Sequence, residues 1–203
     1  MDYKELQVKD SELFGESELL PIVTDEESIK EFEERTGKKI GVVYESDYHK
    51  LVVDLIGVKD GFTYERLMAT ARKGGAVIIP RYKDKFILLK QFRHAIRENQ
   101  IGFPRGMCRG DSVETAITEI AEELGGKGSE PVYMGKITPD SGILSDWVSI
   151  YLMDIYDFEK RLGFEGIKEV ILLTKDEITN MIFNGEITDG FTLSAWMLAW
   201  KYL

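Results

Sequence analysis

Residues 106–125, GMCRGDSVETAITEIAEELG, decide the fold. Apolar side chains recur there every three or four positions, at Val113, Ile117, Ile120 and Leu124. This spacing predicts an amphipathic helix over residues 112–124 with an apolar stripe. Asp111 is a residue type that caps helix starts, and Gly125 suits the left-handed turn that ends many helices.

Three carboxylates share the other side of this helix: Glu119, Glu122 and Glu123. Glu119 and Glu123 are four residues apart, so they lie one above the other, with Glu122 beside them. Such charges repel each other unless a cation lies among them, and Mg²⁺ prefers oxygen ligands of this kind. Charged helix faces are usually just solvated, so the helix alone leaves both interpretations open.

The segment before the helix favours a cation. Residues 86–92, FILLKQF, predict a strand, and residues 102–106, GFPRG, predict a loop because Gly and Pro favour turns. A strand, a Gly/Pro loop and an acidic helix together form a good cradle for a metal ion and a diphosphate.

These residues resemble the box of the Nudix hydrolase family, which ends in Arg-Glu-apolar-x-Glu-Glu-x-Gly. Pro104 and Gly106 match its Pro-x-Gly opening, and residues 119–125 match its closing half at the correct spacing. The box is altered elsewhere. Thr118 stands where the family has the Arg that orients the catalytic Glu, the loop after Gly106 is shorter, and Asp111 is the nearest equivalent of the first Glu.

Gln91-Phe92-Arg93 and the C-terminal region are similar to the ADP-ribose pyrophosphatase branch of this family. The resemblance implies a Nudix α/β/α sandwich with a mixed sheet over residues 74–203. Residues 1–73 predict a small α/β appendage, and in this branch such a segment helps to form a homodimer. The implied reaction is hydrolysis of a nucleoside diphosphate linked to another moiety, above all ADP-ribose to AMP and ribose 5-phosphate.

The resemblance also implies a Mg²⁺ or Mn²⁺ site. Its ligands would be Glu119, Glu123 and the backbone carbonyl of Arg105. Glu122 would be a further ligand or would orient the attacking water, and is therefore also a catalytic candidate.

The remaining candidate residues lie on both sides of the box. Residues 90–109 hold five Lys or Arg and one acid, although the chain carries a net charge of −10. Guanidinium groups fit phosphate oxygens and ribose hydroxyls, so Arg93 and Arg97 are candidates for substrate binding. The loop predicted at residues 154–166 is where the family often places a mobile acid that acts as base. Glu165 is our first candidate for that base, and Glu169 is the second.

Composition excludes several classes of protein. So acidic a chain is a poor partner for nucleic acid or an anionic membrane. Cys108 is the only cysteine, which fits a reducing compartment. We find no signal peptide and no apolar run of the roughly 18 residues that span a bilayer, so we expect a soluble, cytoplasmic protein.

Further elements follow from local patterns. Thr24 predicts a helix start, and Thr36-Gly37 its end. Strands are predicted at residues 18–23, 40–44, 50–56, 62–72, 76–80, 131–137, 147–153 and 168–173, with a tight turn at Asp60-Gly61 and helices after residues 175 and 189. Residues 138–146 resemble a substrate-facing loop of the ADP-ribose branch.

Two alternatives stay open at this point. The altered box could mark a Nudix domain that binds a nucleotide as a sensor without hydrolysing it. Alternatively, the substrate could be another nucleotide sugar or a dinucleoside polyphosphate, because loop shapes set that preference.

Overall fold

The computed structural model describes residues 3–59, 61–69, 74–108 and 110–203. The chain divides into two compact units. The first is Met1–Arg72 with Asp140–Asp146, and the second is Lys73–Pro139 with Trp147–Leu203.

The first unit contains a three-stranded antiparallel sheet in the order β1–β2–β3. Its elements are α1 (Tyr3–Lys9), α2 (Glu26–Thr36), β1 (Gly41–Glu45), β2 (His49–Ile56) and β3 (Phe62–Ala69). Leu6 of α1 packs with Val52 and Met68 of the sheet, and together they form a small apolar core.

The sequence predictions for this unit need two corrections. Asp25, not Thr24, caps α2, because its carboxylate accepts the N–H of Ser28 at 2.8 Å. Residues 18–23 do not form the predicted strand; Ile22 makes an isolated bridge to Ile56. The strand predicted at residues 62–72 is present over its described part, Phe62–Ala69; residues 70–72, and Asp60 of the predicted turn, lie outside the described residues.

Residues 140–146 belong to the first unit, although the sequence analysis placed them within the domain that begins at residue 74. Leu67 of β3 holds this loop. Its N–H donates to the carbonyl of Ile143 at 2.8 Å, and its carbonyl accepts the N–H of Ser145 at 3.1 Å.

The second unit contains a mixed sheet in the order β11–β5–β4–β10–β8, with β6 on β5, β7 on β4 and β9 on β10. The pair β4 and β10 is parallel, and the other pairs are antiparallel. The strands are β4 (Gly75–Tyr82), β5 (Lys85–Arg93), β6 (Glu98–Gly102), β7 (Arg105–Met107), β8 (Lys127–Gly128), β9 (Val132–Ile137), β10 (Val148–Asp157) and β11 (Ile167–Leu173). The helices are α3 (Ser112–Leu124), α4 (Lys175–Phe183) and α5 (Gly190–Ala199).

Alternating side chains of β4 divide the core of this unit into two layers, since successive residues of a strand point to opposite faces. Ala76 and Ile78 pack in the layer that contains Ile120 of α3. Val77 packs in the other layer, which contains Trp196 of α5. The sheet therefore lies between α3 on one face and α4 with α5 on the other.

Two predicted loops are partly strand. In the segment 102–106, Gly102 ends β6 and Arg105 begins β7, which pairs with β4. In the segment 154–166, the first four residues continue β10 to Asp157. Local composition missed both extensions because the pairing that forms them is with strands distant in the sequence. Within the described residues, no helix is both long and apolar enough to cross a bilayer.

Candidate active site

Helix α3 begins and ends as the sequence predicts. The carboxylate of Asp111 accepts the N–H groups of Val113 and Glu114 at 2.8 and 3.1 Å, and Gly125 closes the helix with a φ of 59°. Its buried face, however, is rotated from the predicted stripe. Ile117 is exposed, whereas Ala116 and Glu123 are buried beside Ile120 and Leu124.

Glu123 is the buried acid of this helix. Only 1% of it is exposed, and its Oε2 accepts the main-chain N–H of Arg105 at 3.2 Å. Burial, and after it the nearby charge of Glu119, raise the pKa of Glu123 to about 8. The N–H of Arg105 and the charge of Arg93 act in the opposite direction but do not outweigh burial. Above this pH, the site holds a desolvated negative charge.

Glu119 lies one helical turn before Glu123, against strand β7. Its carboxylate occupies the space next to the Cα of Gly106, where the Cβ of any other residue would overlap it. A side chain at position 106 would therefore require the carboxylate of Glu119 or strand β7 to move. The sequence analysis matched Gly106 to the Nudix box without this reason.

Glu122 does not join the two acids. Its side chain is exposed, on the outward face of α3, and its carbonyl lies 3.5 Å from Nη1 of Arg161. Thr118, which stands where the Nudix box has Arg, is exposed as well. The structure thus brings together two of the three predicted carboxylates.

Arg93 ends β5 and is half-buried near these acids. Burial lowers the pKa of its guanidinium, and so does the positive charge of Arg105. The negative charges of Asp189, Glu123 and Glu165 raise this pKa. Arg93 therefore lies within electrostatic reach of the predicted metal ligands and of the predicted base.

Arg97 lies apart from this cluster. It is exposed, its guanidinium stacks over Phe92 at 5.0 Å, and its Nη1 is 2.9 Å from Nδ1 of His94. Its φ of 59° is unusual for a residue with a side chain.

The main chain of Glu165 is fixed, and its side chain is exposed. Its carbonyl accepts an N–H of the buried Gln91 at 2.9 Å, and its φ of 44° is in the left-handed region. Its charge acts on both Glu123 and Arg93. Glu169, the second candidate, is an exposed residue of β11 that pairs with Lys90 of β5.

Sequence reasoning missed Asp189. This acid caps α5 and forms an ion pair with Arg105, with Nη2 of Arg105 at 3.2 Å from Oδ1 of Asp189. The Asp-x-x-Thr pattern at residues 189–192 indicates a helix cap. Nothing in the local sequence connects that cap to Arg105, more than 80 positions earlier.

The donor chemistry of the site fits a divalent cation. Among the described residues, no three His, Cys, Asp or Glu side chains are grouped as a ready-made metal site. Mg²⁺ commonly binds through one or two carboxylates plus substrate phosphates and water. Glu119 and the buried Glu123, whose raised pKa makes its charged form costly without a cation, are two such carboxylates.

No protein-family model and no curated protein matches the chain. A solved structure described as "ADP compounds hydrolase" does match, with a TM-score of 0.70 and 19% identity, over 81% of this chain and 91% of that chain. At this identity the likeness establishes the fold. The predicted α/β fold with a mixed sheet and packed helices is confirmed, and the resemblance to the Nudix box stays a prediction.

Proposed function

We propose that this protein hydrolyses a nucleoside diphosphate linked to another moiety, with ADP-ribose as the substrate and AMP and ribose 5-phosphate as products. The observation that carries the proposal is the environment of Glu123. A buried carboxylate with a pKa of about 8, beside Glu119 and within reach of Arg93, favours binding of a cation together with phosphate. The fold shared with a hydrolase of ADP compounds supports the same conclusion.

In this proposal, Glu119, Glu123 and the carbonyl of Arg105 would hold Mg²⁺ or Mn²⁺. Glu122 lies outside this pair on the exposed face of α3, and it would have to turn towards the ion to be a further ligand or to orient the water. The bound cation would neutralise the diphosphate and lower the pKa of a water molecule. Gly106 keeps the carboxylate of Glu119 close to strand β7.

Other residues of the chain bind substrate and remove a proton. Arg93 binds a phosphate, and Arg97 contributes to the terminal ribose or phosphate from the exposed rim. A water oxygen forms a bond to one phosphorus while the bridging P–O bond breaks, and Glu165 accepts the proton that the water loses. The hydrogen bond from Gln91 fixes the main chain of Glu165 near the site.

The sensor alternative has two observations in its favour. Thr118 cannot supply the guanidinium that the Nudix box has at this position, and Glu122 is exposed. A protein of that kind would bind a nucleotide, and its melting temperature would rise without consumption of the ligand.

The test is product release from a panel of nucleoside diphosphate compounds headed by ADP-ribose, at neutral to alkaline pH. The panel also contains nucleotide sugars and dinucleoside polyphosphates. Each compound is assayed with Mg²⁺, with Mn²⁺ and with EDTA. Metal-dependent turnover supports the proposal. If no compound is turned over while binding of at least one is still detected, the proposal is contradicted in favour of the sensor. The homodimer stays a prediction. Size-exclusion chromatography with light scattering, which gives the molar mass in solution, tests it.

A further inference from the structure

Two residues at the start of helix α5 hold the side chain of Arg105 in place. Its guanidinium stacks over the ring of Phe191 at 4.1 Å, and its Nη2 pairs with Oδ1 of Asp189 at 3.2 Å. Both partners lie at the start of α5, and both side chains of the ion pair are largely buried. A guanidinium held by stacking and by an ion pair has little rotamer freedom left to lose when it binds a ligand.

The guanidiniums of Arg93 and Arg105 each carry a buried N–H group without an acceptor in the described part of the chain. Among the described residues, Nη1 of Arg105 and Nε of Arg93 are buried and make no hydrogen bond. Burial lowers the pKa of Arg93 most, and the positive charge of Arg105 lowers it as well, so the two guanidiniums lie within electrostatic reach of each other. Buried donors normally have acceptors, and like charges come close where an anion binds between them.

We propose that the guanidinium of Arg105 is a second phosphate-binding group, which acts with Arg93 on the diphosphate, and that Asp189 is its positioning residue. The sequence analysis assigned only the backbone carbonyl of Arg105. This inference rests on the proposed function for the identity of the ligand, a nucleoside diphosphate. A planar guanidinium fork matches phosphate oxygens in pairs, and two forks match a diphosphate.

Asp189 is itself held by a chain of buried hydrogen bonds. Its Oδ2 accepts the N–H and the hydroxyl of Thr192 at 3.0 and 2.7 Å. The hydroxyl oxygen of Thr192 accepts the N–H of Phe103 at 3.0 Å, two residues before Arg105. At Gly102, an added Cβ would lie only 2.8 Å from this hydroxyl oxygen. The network therefore joins the N-terminal turn of α5 to the segment that leads into β7.

The test measures ADP binding by titration calorimetry, with Mg²⁺ and with EDTA, on the full chain. The variants are Arg105→Met, Arg105→Lys, Asp189→Asn and the double variant Arg105→Met/Asp189→Asn. The matched controls are Arg81→Met and Asp154→Asn, because Arg81 and Asp154 form an Arg–Asp pair in the same unit, at 2.9 Å from Nη2 to Oδ2. Asp189→Asn keeps an oxygen for the cap of α5, so it separates positioning from folding.

We expect Arg105→Met to weaken ADP binding about 10- to 100-fold, with a partial return in Arg105→Lys. Asp189→Asn should weaken binding less, and the double variant should be no weaker than Arg105→Met, because Asp189 acts through Arg105. In turnover assays KM should rise in parallel while kcat stays within about threefold, the pattern of lost ground-state binding. The two control variants should bind ADP as the wild type does.

The outcomes separate this inference from the proposed function. If the wild type binds ADP in an Arg105-dependent manner but hydrolyses no member of the panel, the proposed function fails and the inference stands. If Arg105→Met binds ADP as tightly as the wild type, or the wild type does not bind ADP, the inference is overturned. If Arg105→Met fails to fold, Arg105→Lys and Asp189→Asn decide: unchanged ADP affinity in both overturns the inference.

Discussion

The main-chain N–H of Arg105 donates a hydrogen bond to Oε2 of Glu123 at 3.2 Å, and so joins strand β7 to helix α3 at the predicted metal site. This bond favours the charged form of Glu123, yet its pKa is raised to about 8 because burial and the charge of Glu119 act more strongly. A carboxylate that is this costly to ionise in the protein alone is one that a bound cation would stabilise.

Glu123→Gln should abolish metal-dependent turnover while the fold persists. The amide keeps the size of the side chain and an acceptor for the N–H of Arg105, but it removes the charge. We expect kcat to fall at least about 100-fold, because a lost charged ligand removes several kcal/mol of transition-state stabilisation. Turnover of ADP-ribose and the far-ultraviolet circular dichroism spectrum are the measurements.

Glu119→Gln should behave in the same way, and Glu114→Gln is the matched control. Glu114 is an exposed acid in the first turn of the same helix, so its neutralisation should leave kcat unchanged. If Glu119→Gln and Glu123→Gln both kept full Mg²⁺-dependent activity, the assignment of these two acids would be wrong.

The pKa of Glu123 predicts how stability depends on pH in EDTA. Its pKa is about 8 in the folded protein, against an ordinary value of 4.5 for an exposed Glu, so the folded state holds the proton more tightly. The stabilisation that this proton provides is complete below pH 4.5. It is lost progressively as pH rises towards 8, and changes little above 8. As pH rises from about 5 to about 8, the melting temperature of the wild type should therefore fall relative to that of Glu123→Gln.

Thermal unfolding of both proteins at several pH values, without divalent cations, is the measurement. A constant difference between the two melting temperatures across this range would contradict the raised pKa. Mg²⁺ added above pH 8 should stabilise the wild type more than Glu123→Gln, because a ligand of the folded state raises its stability by mass action.

Gly106→Ala should reduce activity with a smaller effect on secondary structure. An alanine Cβ would overlap the carboxylate of Glu119, so this acid or strand β7 must move. We expect a rise in the Mg²⁺ concentration needed for half-maximal turnover. Gly110→Ala is the control, because nothing lies within 4 Å of a Cβ at that position. If both variants need the same Mg²⁺ concentration, the close approach of Gly106 to Glu119 is not required for metal binding.

Local sequence predicted helix α3 and its caps because the cap residues and the apolar period lie within one continuous segment. It misplaced the buried face, since the stripe was chosen by hydrophobicity alone. Against a sheet, the small Ala116 permits close packing, and Glu123 follows it into the interior seven residues later. Ile117, though more apolar than Ala116, is left exposed by that rotation.

The rest of the site depends on contacts between distant segments. Strand β7 is three residues long and forms because it pairs with β4, which no local pattern encodes. The ion pair of Arg105 with Asp189 depends on where α5 packs. Spacing therefore indicates which acids are candidates, while it does not indicate that the side chain of Arg105 contacts Asp189.

Glu165 and Glu169 can be separated as candidates for the base. Glu165 acts electrostatically on Glu123 and Arg93, whereas Glu169 is an exposed strand residue. Glu165→Gln should lower kcat about 100- to 10,000-fold, the usual range for a lost general base, with little change in KM. Glu165→Gln should also remove the limb of the pH–rate profile that reports the general base, whereas Glu169→Gln should keep both limbs. Gln91→Ala should lower kcat less, because it frees the main chain of Glu165 without removing the carboxylate. If Glu169→Gln gives the larger loss, the base is on β11 and the fixed turn at Glu165 has another role.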